Sequence, residues 1–341
     1  KALIQSGDIS AESLNWISES IGVSNEEILS KSKKLRIESS QRTFFRIPFE
    51  DKSSILMVVP EGIDESIESF YTKAEIFKKA NVNVPAVYFK NDSLGNLIVE
   101  DFGDDVLQFY LNEKNSNKLI KLAIEQIHKI EVIKLDESIF SDFEKITENN
   151  LYLFKKFFLE EFLEVPELEN LKQEVDEFYS IIISKLKDHP KVINHYDFES
   201  RNLISLSERN IGVIDFQDAL IGPLGIDLAS IFKDLYKKWT KKEIFDWLDF
   251  YVAKSQIVKN ASLKTPEVKR MVDIASLQRQ TRILGKLSQV FLELKRPERL
   301  KDFKTILKYL MTTSLEYDET KRYSDFFKNL IPILEQRLKT L

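Results

Sequence analysis

No cysteine occurs in the 341 residues, so disulfides, zinc–thiolate centres and thiol nucleophiles are excluded. Glycine and proline are scarce, with nine of each, and long helices are therefore expected to dominate. An excess of positive charge is also missing. The net charge is −5, which argues against a nucleic-acid partner. The short basic stretch KSKKLR (31–36) reads as a solvated helix face. Long apolar runs are absent too. The first twenty residues lack a signal-peptide core, and no later stretch approaches the roughly 20 apolar residues of a membrane span. A soluble cytoplasmic protein with no membrane partner is the expectation.

What is present is an ordinary globular balance: 43% hydrophobic and 31% charged residues, with 24 Phe and 11 Tyr to build a core. The length suits two domains or one bilobal unit. In the first hundred residues, SLNWISES places Leu14, Ile17 and (with the next residues) Ile21 on one helical face. RTFFRIPF and SSILMVVP read as strands. The stretch from Asp64 carries Ile67, Phe70, Tyr71, Ala74 and Phe77 at helical spacing, with Asp64 suited to the N-cap. AVYFKND and GNLIVED read as a hairpin. Residues 105–188 are helical in pattern, a strand-like island follows at 191–216, and the pattern from 223 to the end is helical again. The expected architecture is α+β, with a small β-rich lobe over 1–101 and a larger, mostly helical lobe over 102–341.

The island holds most of the chemistry. INHYDFESRNLI (193–204) contains His195, one of only three histidines, in the pattern His195-x-Asp197-x4-Asn202. GVIDF follows, with Asp215 at the end of an apolar strand. Asp197 and Asp215 lie 18 residues apart, a separation that a β-hairpin can span. Phosphoryl transfer from ATP uses such a set: one carboxylate to accept the proton of an attacking hydroxyl, and an amide oxygen with a second carboxylate to hold Mg²⁺. A loop of Asp, Ser and Asn is more often only a turn. Against that, H-x-D-x4-N is expected by chance on the order of 0.01 times in a chain this long. His195 itself fits a bracing role, and His128, on a helical stretch, reads as an ordinary packed or surface side chain.

The run HYDFESRNLI…GVIDFQDALIGPLGIDLASI resembles the aminoglycoside-phosphotransferase-like kinases, which have the bilobal protein-kinase-like fold. The pieces SRNL, IDFQDA, GPLGIDLAS and RQTRILGKL resemble the N-acetylmuramate/N-acetylglucosamine anomeric kinase group. The resemblance implies that Asp197 is the catalytic base, that Asn202 and Asp215 bind Mg²⁺, and that Asp227 holds the catalytic loop in place. It puts ESSQRTFFR (38–46) at the phosphate-covering loop, so that Ser39, Ser40, Arg42 and Arg46 are nucleotide-binding candidates, and IVED (98–101) at the hinge, with Glu100 beside adenine. Glu199, Arg201, Gln217 and Arg279 are the candidates for the acceptor side.

The chain departs from the protein-kinase pattern in three ways. Met57 stands where the third strand carries a lysine, the phosphate-covering loop has no glycine, and Gln217 replaces the last residue of D-F-G. Arg46, or alternatively Arg42, is the candidate substitute for the lysine. Glu75 lacks the lysine partner that its helix would offer in a protein kinase. The expected activity is an ATP- and Mg²⁺-dependent kinase whose acceptor is a small molecule, foremost the anomeric hydroxyl of an N-acetylated amino sugar. An aminoglycoside or choline-type acceptor is the first alternative, and a nucleotide-binding pseudokinase the second.

Overall fold

Helix formation in the N-terminal region follows from short capped amphipathic stretches. The structure is a computed structural model, and it describes residues 7–35, 41–62 and 66–341. Ser10 caps α1 (Ala11–Ile21) and buries Ile17, while Ser24 caps α2 (Asn25–Lys31) and buries Ile28. Ser32 then turns extended, and Lys33–Leu35 forms strand β1. The basic stretch is therefore not a helix face beyond Lys31; Arg36 lies outside the described residues. Lysines suit this edge position because they discourage pairing with further strands.

β1 pairs antiparallel with β2 (Thr43–Phe49), which pairs with β3 (Lys52–Val58). Helix α3 (Ile67–Lys79) separates these from β4 (Val87–Asn91) and β5 (Asn96–Glu100), which form the expected hairpin. The sheet order is β1-β2-β3-β5-β4. Alternation divides its faces. Phe45, Ile47, Leu56 and Ile98 pack with Ile17 and Ile28, whereas Met57, Leu97 and Val99 pack with Ile67 and Phe70 of α3. The cap of α3 is Ser66, whose side chain accepts from the Ser69 amide; Asp64 lies outside the described residues.

The helical stretch comprises α4 (Leu107–Tyr110), α5 (Ser116–Glu131), α6 (Thr147–Leu153) and α7 (Leu168–Leu186). α6 continues as a wider π-wound segment over Phe154–Phe162. The island supplies β6 (Lys191–Asn194), the β7 (Leu203–Ser207)–β8 (Asn210–Val213) hairpin, and β9 (Leu220–Pro223), which pairs with β6. Helices α8 (Ile226–Phe232), α9 (Lys241–Lys254), α10 (Gln256–Asn260), α11 (Thr265–Leu294), α12 (Phe303–Leu315) and α13 (Ser324–Lys339) complete the chain. By contacts the chain forms two compact units: Lys1–Asp105 with Ile204–Gln217, and Val106–Leu203 with Asp218–Leu341. No helix among the described residues is long and apolar enough to cross a membrane.

α11 organises the larger unit. It is buried almost all round, as a central helix must be. It packs against α6 and its π-wound extension, α7, α8, α9 and α12. Gly285 permits this. A Cβ there would stand 2.5 Å from the Phe154 amide nitrogen and 2.7 Å from the Leu153 carbonyl carbon.

A buried acid in the same unit makes stability depend on pH. Glu131, at the end of α5, receives the Tyr251 hydroxyl on both carboxylate oxygens, at 2.9 and 2.7 Å. The His128 ring stacks on Tyr251 at 4.9 Å. Burial pushes the Glu131 carboxyl up to about 8 and, with the charge of Lys254, pulls His128 down to about 4. The folded chain thus holds the Glu131 proton more tightly than the unfolded chain does. The stabilisation is complete below about 4.5 and is lost as pH rises through about 8, by roughly 3–5 kcal/mol in all. Glu131→Gln is expected to flatten this fall. Urea unfolding of both proteins between pH 5 and pH 8.5 checks it, and identical slopes would rule Glu131 out as the cause.

Candidate active site

In the larger unit the chain turns sharply after β6. Tyr196 adopts φ +83°, a left-handed backbone that costs a tyrosine about 1–3 kcal/mol and survives only where its surroundings over-determine it. The neighbours do so. Asp227 lies in the first turn of α8, which starts at Gly225, where φ is +107° and the Val272 backbone comes within 3.1 Å of a Cβ position. Its carboxylate accepts the His195 amide at 2.6 Å and the Tyr196 amide at 3.0 Å. Burial raises the Asp227 carboxyl, although these two amides act against it. His195 is fully buried; its Nδ1 accepts the Asp197 amide at 3.2 Å. The Asn202 side-chain amide donates to the Asp197 carbonyl at 2.9 Å.

Asp197 projects from this fixed loop with 27% of its side chain exposed. Arg282 of α11 donates to its Oδ1 at 2.9 Å. Burial works to raise the Asp197 carboxyl, but the charges of Arg282 and Arg279 outweigh it and hold it at about 2. The carboxylate is therefore ionised throughout the neutral range.

Glu199 and Arg279 are both buried and face each other at 3.2 Å. Arg299 approaches Glu199 at 4.0 Å and binds Asp302 at 2.5 Å. What these two acceptor candidates present is a shared ionic network. Ser200 donates to Asp234 at 2.7 Å, and burial pushes that acid up to about 6. Arg201 is half-buried in the single 3₁₀ turn Ser200–Asn202.

In the smaller unit Asp215 follows β8 and also has a left-handed backbone, at φ +59°. Three residues of α3 hold the segment. Phe70 and Phe77 pack on the Phe216 ring at 4.9 and 5.5 Å, and the buried Lys73 donates to the Gln217 carbonyl at 2.6 Å. The Gln217 side-chain amide donates to Asp215 Oδ1. Arg46 is engaged elsewhere: it binds Asp101 through two nitrogens, at 2.6 and 3.1 Å, and Asp104 at 3.0 Å. Its hydrogen bond to Asp101 raises its pKa further, and Ser53 adds a bond of 2.7 Å to the same acid. To reach a phosphate, the Arg46 guanidinium would have to leave two carboxylates. Arg42 is buried immediately before β2, and Met57 is buried in β3. Glu100 accepts the Ala86 amide at 3.1 Å. Ser39 and Ser40 lie outside the described residues.

The larger unit thus gathers His195, Asp197, Glu199, Asn202, Asp227 and Arg279 in one network, and the smaller unit joins Gln217 to Asp215. Sequence reasoning missed Arg282 and Lys73. Arg282 could have been found three residues after Arg279, on the same helical face. Lys73 could have been found as the one charge on the apolar stripe of α3.

Residues 32–254 match the model of a phosphotransferase enzyme family, APH. The chain is 25% identical over 276 residues to an N-acetylmuramate/N-acetylglucosamine kinase of Pseudomonas putida, covering 80% of each protein. It is 27% identical over 286 residues to one of Neisseria meningitidis serogroup B, covering 82% of this chain and 84% of that protein. A crystal structure of an ADP-bound aminoglycoside phosphotransferase superposes with a TM-score of 0.62 at 17% identity, covering 89% of this chain and 98% of that one. A Plasmodium vivax ethanolamine kinase gives 0.59 at 14% identity, covering 89% of each. These likenesses show a shared kinase-like fold, with an N-terminal antiparallel sheet and a larger helical part.

Proposed function

Because the chain belongs to the phosphotransferase enzyme family, we propose that it transfers the γ-phosphoryl group of ATP to the anomeric hydroxyl of an N-acetylated amino sugar. The acceptor rests on one observation: three relatives, each matched over 80% or more of this chain, are named N-acetylmuramate/N-acetylglucosamine kinase. Asp197 is the general base. The sugar oxygen attacks the γ-phosphorus, the bond to the β,γ-bridging oxygen breaks, and the hydroxyl proton passes to the Asp197 carboxylate. A carboxylate held at about 2 is a weak base. It suffices because the transition state is loose, the proton moves late, and an anomeric hydroxyl is more acidic than an ordinary alcohol.

Asn202 and Asp215 are the proposed Mg²⁺ ligands. The donors fit: both offer hard oxygens, and the Asn202 amide nitrogen is turned to the Asp197 carbonyl, which leaves its own carbonyl oxygen as the remaining donor. Mg²⁺ held there would neutralise phosphate charge. Ser39, Ser40, Arg42, Arg46 and Glu100 are assigned to the nucleotide. A cationic acceptor has less support, since Glu199, the acid it would meet, is already matched by Arg279 and Arg299.

The test is turnover with ATP and Mg²⁺ against N-acetylglucosamine, N-acetylmuramate, choline, ethanolamine and kanamycin, with the product read by ³¹P NMR. An anomeric phosphate on an amino sugar is expected. Transfer to the amines alone would reject the acceptor, and ADP binding without transfer to any of them would favour a pseudokinase.

A further inference from the structure

We propose that Arg282 is a positioning residue for phosphoryl transfer, clamping Tyr196 and Asp197 so that one oxygen of the Asp197 carboxylate faces the acceptor hydroxyl. The inference rests on Asp197 being the base. Three contacts carry it. Arg282 donates to Asp197 Oδ1 at 2.9 Å, donates to the Tyr196 carbonyl at 3.2 Å, and lays its guanidinium over the Tyr196 ring at 3.8 Å. The Tyr196 hydroxyl in turn accepts the Asn150 amide at 3.3 Å.

The backbone explains why such a clamp is needed. Tyr196 is held in a left-handed conformation immediately before the base. Asp227 fixes the amides on the N-terminal side of that turn, and Arg282 fixes its carbonyl and ring, together with the carboxylate beyond. With Oδ1 bound to Arg282 and the side chain still 27% exposed, Oδ2 is left to meet the hydroxyl proton. Both bonds leave the same terminal nitrogen, Nη2, while the planar guanidinium lies over the Tyr196 ring, a stacking that an ammonium does not reproduce.

A purely structural ion pair would make the same contacts, so the test must read coupling to chemistry. Arg282→Gln and Arg282→Lys are prepared in the full chain, each with and without Asp197→Asn, and kcat and KM are measured with ATP, Mg²⁺ and N-acetylglucosamine. Arg282→Gln is expected to lower kcat by about 10²-fold, the scale of a misplaced catalytic group, with both KM values nearly unchanged and Arg282→Lys intermediate. In the Asp197→Asn background the same change is expected to cost almost nothing further, because the group it positions is gone.

Near-normal kcat for Arg282→Gln, with Asp197→Asn impaired, would overturn the inference and leave the base in place. An equal loss in both backgrounds would also overturn it, since Arg282 would then act on something other than Asp197. Near-normal turnover of Asp197→Asn itself would remove the base and the inference together. Loss of the thermal unfolding transition in both Arg282→Gln and Arg282→Lys would make Arg282 a core residue and end the proposal.

Discussion

Asp197→Asn is expected to lower turnover by about 10²–10⁴-fold, equivalent to roughly 3–5 kcal/mol of barrier, while ADP affinity stays nearly the same. The substitution keeps size and shape. The Asn oxygen can still accept the Arg282 fork, and the loop backbone remains tied to Asp227, His195 and Asn202. What is lost is the proposed proton acceptor. The nucleotide is proposed to meet residues of the smaller unit, and the Asn202 amide bonds the Asp197 backbone carbonyl rather than its side chain, so ADP affinity is expected to change little. Thermal stability should fall modestly, because Arg282 loses its anionic partner. In the unsubstituted protein that ion pair stabilises at every pH above about 4 and is lost only as pH falls toward 2, since the carboxyl lies below its ordinary value. Turnover and ADP binding should be measured on one preparation. Loss of both together would make Asp197 a structural or metal-binding residue, and loss of neither would reduce the loop to a turn.

The sequence is legible where local periodicity or fixed spacing carries the message. The strand pairs, the α3 stripe and the H-x-D-x4-N and I-D-F motifs are all of this kind, because each is written within about twenty residues. The site's partners are not. Arg282 meets Asp197 across 85 positions, and Arg46 meets Asp101 across 55. Nothing local marks either pair, so the acids that hold Arg46 and the arginine that holds Asp197 were not legible. The left-handed residues were hidden for a different reason. Glycine or asparagine would have announced a positive φ, but at position 196 a tyrosine adopts it, held by the Asp227 carboxylate on its amide and Arg282 on its carbonyl. The basic stretch at 31–36 failed on a boundary: a lysine-rich run is equally compatible with a helix face and an edge strand, and the extended backbone at Ser32 decided between them.

Asp215→Asn is expected to lower Mg²⁺-dependent turnover by more than about 10³-fold, since a metal ligand that neutralises phosphate charge supplies several kcal/mol to the transition state. Asparagine is the informative substitution. At φ +59° it is tolerated nearly as well as aspartate, whereas alanine in the same conformation adds strain of about 1–2 kcal/mol. Asp215→Ala should therefore lose turnover to a similar degree and also melt a few degrees lower. The segment itself should stay in place in both variants. Lys73 binds the Gln217 carbonyl and Phe216 packs on Phe70 and Phe77, and none of these contacts uses the residue 215 side chain. A raised Mg²⁺ requirement for ADP binding, read by isothermal titration with and without the metal, should accompany the kinetic loss. Near-normal turnover of Asp215→Asn at low Mg²⁺, with unaltered Mg²⁺ dependence of ADP binding, would show that the metal is held by other residues.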